Sequence, residues 1–418
     1  MPSFTSEHMT AFQSLVLRNG STIKNRIAKA AMEENMASAT HGPSSELLEL
    51  YKAWAEGDAG LILTGNVMID RRAMTGPGGV VLEDERDLAA FRDWARTGQS
   101  RGAQMWVQLN HPGRQVMKSL GQETVAPSAV ALDLGTFSKM FATPKEMTEE
   151  QIRDVITRFA NASKIAEKAG FAGIQIHAAH GYLISQFLSP LTNLRADSWG
   201  GTLENRSRLL IETVKAVRSV VSPSFAVAVK LNSADFQRGG FDTDDAKHVV
   251  EMLNDLPVDL VELSGGSYEA PAMQGSTRDG RTLAREAYFI EFAGEIAAIA
   301  KMPVMVTGGI RRIGVVQQVL DRGVAMAGIA SALAIRPDLP TRWEAGDDPR
   351  PEIPPVRWKS KALAATAYMA VVKYQLRRLR RGMVPAPTVS PLKALLINQL
   401  NTACLTRQYR RWMEKSVL

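Results

Sequence analysis

The chain has 418 residues, of which 45% are hydrophobic and 22% charged, with a formal net charge of +7. This apolar content is sufficient for a packed core and argues against a disordered chain. The single cysteine, Cys404, excludes an intramolecular disulfide and a cysteine-ligated iron–sulfur cluster. No segment has the roughly 18 uncharged apolar residues of a membrane span, and the first residues lack a secretory signal pattern. We therefore expect a cytoplasmic protein.

Short apolar segments alternate with longer amphipathic segments from about residue 26 to about residue 340. The apolar segments are rich in Val, Ile and Leu, as expected for strands buried on both faces. They are residues 26–31, 60–64, 104–109, 172–177, 225–231, 259–263, 303–306 and 325–329. The amphipathic segments predict helices near 44–57, 86–101, 148–168, 203–221, 242–255, 285–300 and 311–322. Eight strands alternating with helices predict an α/β protein with a (β/α)8 TIM barrel; a doubly wound sheet is the alternative.

Further segments decorate this predicted barrel. Asn19-Gly20 is a strong signal for a two-residue turn, so residues 11–24 are expected to form a β-hairpin lid on the barrel floor. Residues 116–147 and 265–283 are long excursions after the third and sixth predicted strands. Both leave from the C-terminal ends of strands, where barrel enzymes place their catalytic residues.

The C-terminal part of the chain differs from the rest in charge. Residues 346–418 carry 14 Lys or Arg and 4 Asp or Glu, whereas the preceding residues carry 36 basic and 39 acidic side chains. We therefore divide the chain into a barrel, residues 1–345, and a basic helical extension, residues 346–418. Its two predicted helices are expected to pack on the barrel or on a neighbouring subunit, with membrane-surface contact less favoured. The near-neutral barrel gives no support for nucleic-acid binding.

Three polar side chains, His177, His180 and Tyr182, follow the fourth predicted strand. The two histidines can donate two hydrogen bonds to one substrate oxygen and stabilise the negative charge that develops there. Tyr182 is protonated at neutral pH and can serve as a general acid. A metal site is the alternative for the histidine pair, but no third ligand is evident nearby, so no metal is predicted. Neither a P-loop nor a GxGxxG dinucleotide motif is present.

The segment HAAHGYLISQFLSPLTNLRADSWGGTLENRSR, residues 177–208, resembles the signature of the old yellow enzyme family, the FMN-dependent ene-reductases and NADH:flavin oxidoreductases. Further matches occur in order along the chain: IKNRIAKAAM at 23–32, WVQLNHPGRQ at 106–115, FANASKIAEKAGFAGIQIH at 159–177, VKLNSADF at 229–236, SGGSYEAPAMQG at 264–275 and VTGGI at 306–310. The resemblance covers more than 300 residues. The lone cysteine indicates the stand-alone type without an iron–sulfur cluster.

The resemblance implies an FMN site at the barrel mouth. Three residues at the end of the first strand would contact the isoalloxazine ring through their backbone: Ala30, Ala31 and Met32. Gly65, just past the second strand, would lie beneath the ring. Gln108 would hydrogen-bond the pyrimidine edge, and Lys230 would face flavin N1 and O2.

The resemblance also implies a phosphate end of this site. Gly308 and Gly309 would offer backbone N–H groups to the FMN phosphate. Ala330 and Ser331 occupy the place of the family's Gly-Arg element, so Ser331 replaces a phosphate-binding arginine. Because a hydrogen bond then replaces an ion pair, we expect FMN to be held less tightly.

A second departure from the family pattern is Glu33, which stands where a Thr or Cys usually lies beside flavin O4 and N5. A carboxylate there would oppose the electron density of reduced flavin, at a cost of up to about 4 kcal/mol for a pair at 4 Å. Either Glu33 is protonated, or it points away, or the flavin has a lowered reduction potential. Asn35, where some relatives have a substrate-contacting tyrosine, indicates either an altered substrate pocket or a surface loop residue.

The activity implied by the resemblance is that of an FMN-dependent NAD(P)H oxidoreductase reducing activated C=C bonds in α,β-unsaturated carbonyl or nitro compounds. NADH or NADPH would reduce the flavin, and flavin N5 would deliver hydride to a substrate held by His177 and His180. Tyr182 would then donate the proton. One alternative is an NADH oxidase, or a quinone- or demethylase-type flavoenzyme of the same family. Another is a barrel with weakened flavin binding that binds a partner or membrane through its basic tail; a homo-oligomer is left open.

Overall fold

The computed structural model describes residues 10–270 and 290–415. Its strands are β1 (Leu15–Val16), β2 (Thr22–Ile23), β3 (Ile27–Lys29), β4 (Leu61–Met68), β5 (Val80–Val81), β6 (Gln104–Asn110), β7 (Val125–Ala126), β8 (Lys145–Glu146), β9 (Gly173–Ala178), β10 (Ala226–Asn232), β11 (Leu260–Ser264), β12 (Val304–Thr307) and β13 (Met326–Ile329). Eight of them pair in parallel in the order β3, β4, β6, β9, β10, β11, β12, β13, and β13 pairs with β3. The sheet therefore closes into a barrel.

The helices of the described residues are α1 (Ser45–Glu56), α2 (Leu88–Gly98), α3 (Glu149–Lys168), α4 (Leu183–Leu188), α5 (Leu203–Arg218), α6 (Thr243–Asn254), α7 (Ile290–Ile299), α8 (Ile313–Leu320), α9 (Leu339–Glu344), α10 (Lys361–Leu379) and α11 (Pro391–Lys415). The predicted (β/α)8 barrel is confirmed. The doubly wound alternative is wrong, because pairing of the first and last barrel strands removes the open edges that such a sheet requires. Residues 271–289, which include parts of a predicted helix and of the second excursion, lie outside the described residues.

The local sequence explains why these elements form where they do. Helix α3 begins at a capping box, in which the Thr148 hydroxyl accepts from the Gln151 N–H and the Gln151 side chain accepts from the Thr148 N–H. Its buried side includes Ile152, Val155 and Phe159, which recur at helical spacing. Strands such as β9 and β10 are buried along their whole length, so they lack an alternating pattern.

The predicted hairpin lid is confirmed. Strands β1 and β2 pair antiparallel around a turn in which Gly20 has a φ of +82°, a left-handed conformation that glycine adopts without steric cost. Leu15, Leu17 and Ile23 of this hairpin pack with apolar side chains from the N-terminal ends of the barrel strands. The hairpin therefore closes the end of the barrel opposite to the mouth.

The two C-terminal helices pack on the barrel, which is one of the arrangements expected from the sequence. Residues Ala370, Val371 and Leu376 of α10 belong to the same hydrophobic core as the barrel helices. Tyr409 of α11 is fully buried and its hydroxyl donates to the Arg71 carbonyl oxygen at 2.8 Å. None of the helices in the described part of the chain is both long and apolar enough to cross a bilayer.

Candidate active site

The two predicted histidines lie together at the mouth of the barrel. His177 is near the end of β9, and His180 follows it with a φ of +61°, a conformation unusual for a residue with a side chain. Asn232, at the end of β10, accepts from the His180 backbone N–H at 3.0 Å and so supports this turn. The two imidazole rings are 5.0 Å apart and nearly perpendicular. The fold therefore places both rings on one side of the mouth.

Both imidazoles are held neutral. Burial lowers the pKa of His177 well below its usual value, and the nearby His180 and Lys230 lower it further. Burial also lowers the pKa of His180 well below its usual value, and the charge of Lys230 lowers it further. Nδ1 of His177 accepts from the backbone N–H of Ala179 at 3.2 Å, so the proton of the neutral ring is on Nε2. Nε2 of His180 lies 2.7 Å from the Ser264 hydroxyl oxygen.

Tyr182 packs beside the histidines, with its ring 4.8 Å from that of His177. Its hydroxyl accepts from the Asn66 amide at 3.3 Å and lies 3.2 Å from the hydroxyl of Tyr268. Burial and then the negative charge of Glu33 raise the pKa of Tyr182 well above its usual value. Tyr182 is therefore protonated, as a general acid must be before it reacts. Sequence reasoning did not single out Tyr268.

A buried polar chain connects four neighbouring strands of the barrel, β6, β9, β10 and β11. Lys230 of β10 pairs with Glu262 of β11 at 2.7 Å, and the other oxygen of Glu262 accepts from Gln175 of β9 at 2.7 Å. Gln175 in turn accepts from the Gln108 amide at 2.7 Å. Sequence reasoning found Gln108 and Lys230 but missed Glu262 and Gln175. The signal that could have found them is a charged or amide side chain inside an otherwise apolar strand.

The loop after β3 brings Glu33 to the same mouth. The residues before it are Ala30, Ala31 and Met32, and the Ala30 N–H donates to the Ile329 carbonyl oxygen at 2.9 Å. The Glu33 carboxylate accepts from the Thr75 hydroxyl at 2.7 Å and from the Lys373 ammonium at 2.9 Å. Burial raises the pKa of Glu33, but the charge of Lys373 and these hydrogen bonds outweigh it and lower the pKa. Glu33 is therefore paired with Lys373, and its lowered pKa favours the ionised carboxylate.

The structure shows the surroundings of two further predicted residues, Asn35 and Gly65. The side-chain oxygen of Asn35 accepts from Lys373, so Asn35 is tied to the mouth rather than lying on a surface loop. Gly65 lies within β4, because this strand is longer than predicted. A Cβ at Gly65 would lie 2.0 Å from a carboxylate oxygen of Glu34 and 2.2 Å from the Met32 carbonyl oxygen. The close approach of the β3 loop therefore requires glycine here.

The predicted phosphate-binding residues lie at the ends of the last two barrel strands. Gly308 and Gly309 follow β12, and no acceptor for their backbone N–H groups is found within the described part of the chain. The hydroxyl of Thr307 beside them is buried without a hydrogen-bond partner among these residues. Ala330 and Ser331 follow β13. This end of the mouth thus offers several hydrogen-bond donors.

The metal alternative finds no support. Within residues 10–270 and 290–415, no group of three or more His, Cys, Asp or Glu side chains is arranged to hold a metal ion. Two neutral imidazoles, a protonated tyrosine and a buried lysine thus lie together at the end of the barrel where barrel enzymes place their catalytic residues.

Residues 11–348 match the sequence model of the NADH:flavin oxidoreductase / NADH oxidase family, and the chain belongs to this family. It is 35% identical over 348 residues to the NADH-dependent flavin oxidoreductase iliE of Hypocrea jecorina (strain QM6a), covering 78% of this chain and 86% of that protein. It is also 35% identical over 351 residues to iliE of Neonectria sp. (strain DH2), where it spans about half of the relative, 46%. The solved structure of the old yellow enzyme homologue from Zymomonas mobilis superposes with a TM-score of 0.70 at 27% identity, over 82% of this chain and 95% of that one. The resemblance to the old yellow enzyme family is confirmed.

FMN and a nicotinamide cofactor are the redox partners of this family. The described residues fit FMN, because among them the mouth offers N–H groups without an acceptor at Gly308 and Gly309 for a phosphate, and the buried Lys230 ammonium, which donates one hydrogen bond to Glu262, retains further N–H donors for the ring. An anionic phosphate and an electron-rich ring require these two kinds of group.

Proposed function

We propose that this protein is an FMN-dependent NAD(P)H oxidoreductase that reduces the activated C=C bond of an α,β-unsaturated carbonyl or nitro compound. The observation that supports this most is the clustering of His177, His180 and Tyr182 at the mouth, where the rings of His180 and Tyr182 lie 5.0 Å and 4.8 Å from that of His177. Two neutral hydrogen-bond donors and one acid are the groups needed to polarise a substrate oxygen and protonate a carbon.

FMN would be held along the mouth from the ring end to the phosphate end. We assign the backbone of residues 30–32, the Gln108 amide and Lys230 to the ring, and Gly308 and Gly309 to the phosphate. When bound, FMN supplies the hydride chemistry, accepting hydride from NADH or NADPH and passing it to the substrate.

The histidines bind and polarise the substrate oxygen. Nε2–H of His177 is a donor whose orientation is fixed by the Ala179 N–H bond on the other side of the ring. His180 donates in one of two ways. Either Nε2–H leaves the Ser264 hydroxyl for the substrate, or Nδ1–H donates while Ser264 donates to Nε2. Since both rings are neutral, each offers one hydrogen bond to the oxygen, where negative charge grows during hydride addition.

Tyr182 holds the proton that the substrate carbon receives. Its raised pKa keeps the hydroxyl protonated over the physiological range, and Asn66 orients its oxygen. The neighbouring Tyr268 hydroxyl, 3.2 Å away, can return a proton to Tyr182 after transfer. The same raised pKa makes Tyr182 a poor acid at rest, so we expect transfer only to a carbon that has become basic.

The test of the acid role measures two half-reactions separately, the reduction of the flavin by NAD(P)H and the reduction of the enone by the flavin. Tyr182→Phe is expected to slow enone turnover by about 100-fold or more while leaving flavin reduction by NAD(P)H near normal. Tyr409→Phe, the same change at a tyrosine of α11 whose hydroxyl donates to the Arg71 carbonyl oxygen, is the matched control and should alter neither. Equal slowing of both half-reactions by Tyr182→Phe would contradict the acid role.

The histidine roles have their own measurement. Titration of the oxidised protein with a phenol should give a long-wavelength charge-transfer band, because a phenolate oxygen can occupy the place of the substrate oxygen. His177→Ala should weaken this binding by about tenfold, as expected for the loss of one strong hydrogen bond. Unchanged phenol affinity in His177→Ala would remove the histidine from the substrate site.

A second candidate within the same family is reduction of oxygen or a quinone, which is supported by the NADH oxidase part of the family description. Product analysis with and without oxygen separates it from alkene reduction. The partner-binding alternative requires a barrel without flavin, and the absorbance spectrum of the purified protein tests it directly.

A further inference from the structure

Lys373, on the C-terminal helix α10, reaches into the mouth of the barrel. Its ammonium group donates to the Glu33 carboxylate at 2.9 Å and also to the side-chain oxygen of Asn35, across 340 residues of sequence. The Lys373 side chain is 16% exposed and that of Glu33 is 26% exposed. This ion pair is therefore largely shielded from water. Because of this shielding, the two charges interact more strongly than they would on an open surface.

Helix α10 is held firmly in this position. Ala367 and Leu376 are fully buried, and Val371 is 2% exposed. Arg380 at its C-terminal end pairs with Glu46 of α1 at 2.7 Å. Helix α10 lies beyond residues 11–348, the range that matches the family. It therefore adds ordered contacts to the mouth that the matched range does not contain.

We propose that α10 forms a wall of the FMN site, in which Lys373 is a positioning residue that orients and neutralises Glu33. This inference rests on the proposed placement of FMN and does not depend on alkene reduction. It accounts for one departure from the family pattern, because the Glu33 carboxylate is paired with Lys373 of α10.

The charge of Glu33 sets the expected consequence. With Lys373 in place the pair is neutral overall, so Glu33 adds little repulsion to electron-rich reduced flavin. Without Lys373 an unpaired carboxylate remains at the mouth, and it disfavours the reduced form more than the oxidised form. Loss of Lys373 should therefore lower the reduction potential of the bound flavin and weaken its binding.

The experiment uses the full-length holoprotein and two readouts that need no alkene: flavin retained on ultrafiltration, which gives the FMN dissociation constant, and the reduction potential against a reference dye. Lys373→Met should raise the FMN dissociation constant about tenfold and lower the potential. Lys373→Arg should resemble the unchanged protein, because it keeps the charge. Lys393→Met, which removes an exposed lysine of α11, is the control and should change neither readout.

The double variant Glu33→Gln/Lys373→Met distinguishes charge from packing. If Lys373 acts through Glu33, removing both charges should bring the dissociation constant to within about threefold of the original value and restore the potential. A double variant as impaired as Lys373→Met alone, or a Lys373→Met protein with unchanged affinity and potential, overturns the role of Lys373. A wild-type protein that binds FMN but reduces no enone would contradict only the proposed activity.

Discussion

The buried ion pair between Lys230 and Glu262 permits a sharp test of how the mouth is built. The side chains are 4% and 0% exposed, and the distance between their charged atoms is 2.7 Å. Glu262→Gln keeps the size of the side chain and removes its charge. The variant thus leaves an ammonium group inside the barrel without its countercharge.

The expected loss is large relative to the stability of the protein. Removing one partner of a buried ion pair costs about 3–5 kcal/mol, because the remaining charge is desolvated without compensation. The second hydrogen bond of Glu262, from the Gln175 amide at 2.7 Å, must also be remade with an amide. Since folded domains are stable by only about 5–15 kcal/mol, Glu262→Gln should shift the unfolding midpoint strongly.

Equilibrium unfolding in urea, followed by tryptophan fluorescence, measures this loss. The measurement is made with and without added FMN, because bound ligand adds its own contribution to the free energy of unfolding. Glu212→Gln is the matched control. Glu212 pairs with Lys215 at 3.0 Å on the exposed surface of α5, and its loss should cost less than about 1 kcal/mol.

A double variant tests the physical reason. Lys230→Met/Glu262→Met removes both charges, and replacing a buried pair by apolar side chains is often nearly neutral. It should therefore be more stable than Glu262→Gln in the absence of FMN. A loss below about 1 kcal/mol in Glu262→Gln would refute the reasoning, since Lys230 would then have to be hydrated or neutral.

Three further outcomes follow from buried groups elsewhere. Burial lowers the pKa of His111 to about 4, so the unfolded chain takes up a proton below its ordinary pKa of about 6.5 while the folded protein does not. The free energy of unfolding is therefore highest above about pH 6.5 and falls as the pH drops toward 4, with a loss of about 2 kcal/mol at pH 5. His111→Gln should flatten this decline, as measured by urea unfolding curves at several pH values. Tyr409→Phe removes the bond to the Arg71 carbonyl oxygen and should cost about 1 kcal/mol in thermal unfolding; an unchanged midpoint would mean that water replaces it. Gly65→Ala should destabilise the protein by about 3 kcal/mol, because the added Cβ has no room. Gly314→Ala should be neutral or stabilising, because no atom lies within 4 Å of its added Cβ. Similar thermal midpoints for the two variants would show that the β3 loop can move.

Much of the fold was predictable because its determinants are local. Runs of Val, Ile and Leu mark the barrel strands, and a capping box such as that at Thr148 marks the start of a helix. The candidate catalytic residues were also predictable from local sequence, since His177, His180 and Tyr182 lie within a six-residue segment at the end of one strand. The strand boundaries were less accurate. Gly65 was expected beyond a strand that in fact continues to Met68.

The partners of the predicted residues were not predictable in the same way. Glu262 meets Lys230 because β10 and β11 pair in the register that puts these two positions side by side. Tyr268 meets Tyr182 because the ends of β9 and β11 converge at the mouth. Such contacts depend on which strands are neighbours and in what register, and no local pattern in the sequence states either.

The sequence by itself determined the type of barrel, the family and the candidate acid and donor groups, because hydrophobic periodicity and short motifs act over a few residues. Only the tertiary structure decided the state of Glu33, because its charge depends on Lys373 across 340 residues. A pKa responds to distance in space, so the residue that a chain brings close controls the chemistry however far away it lies in sequence.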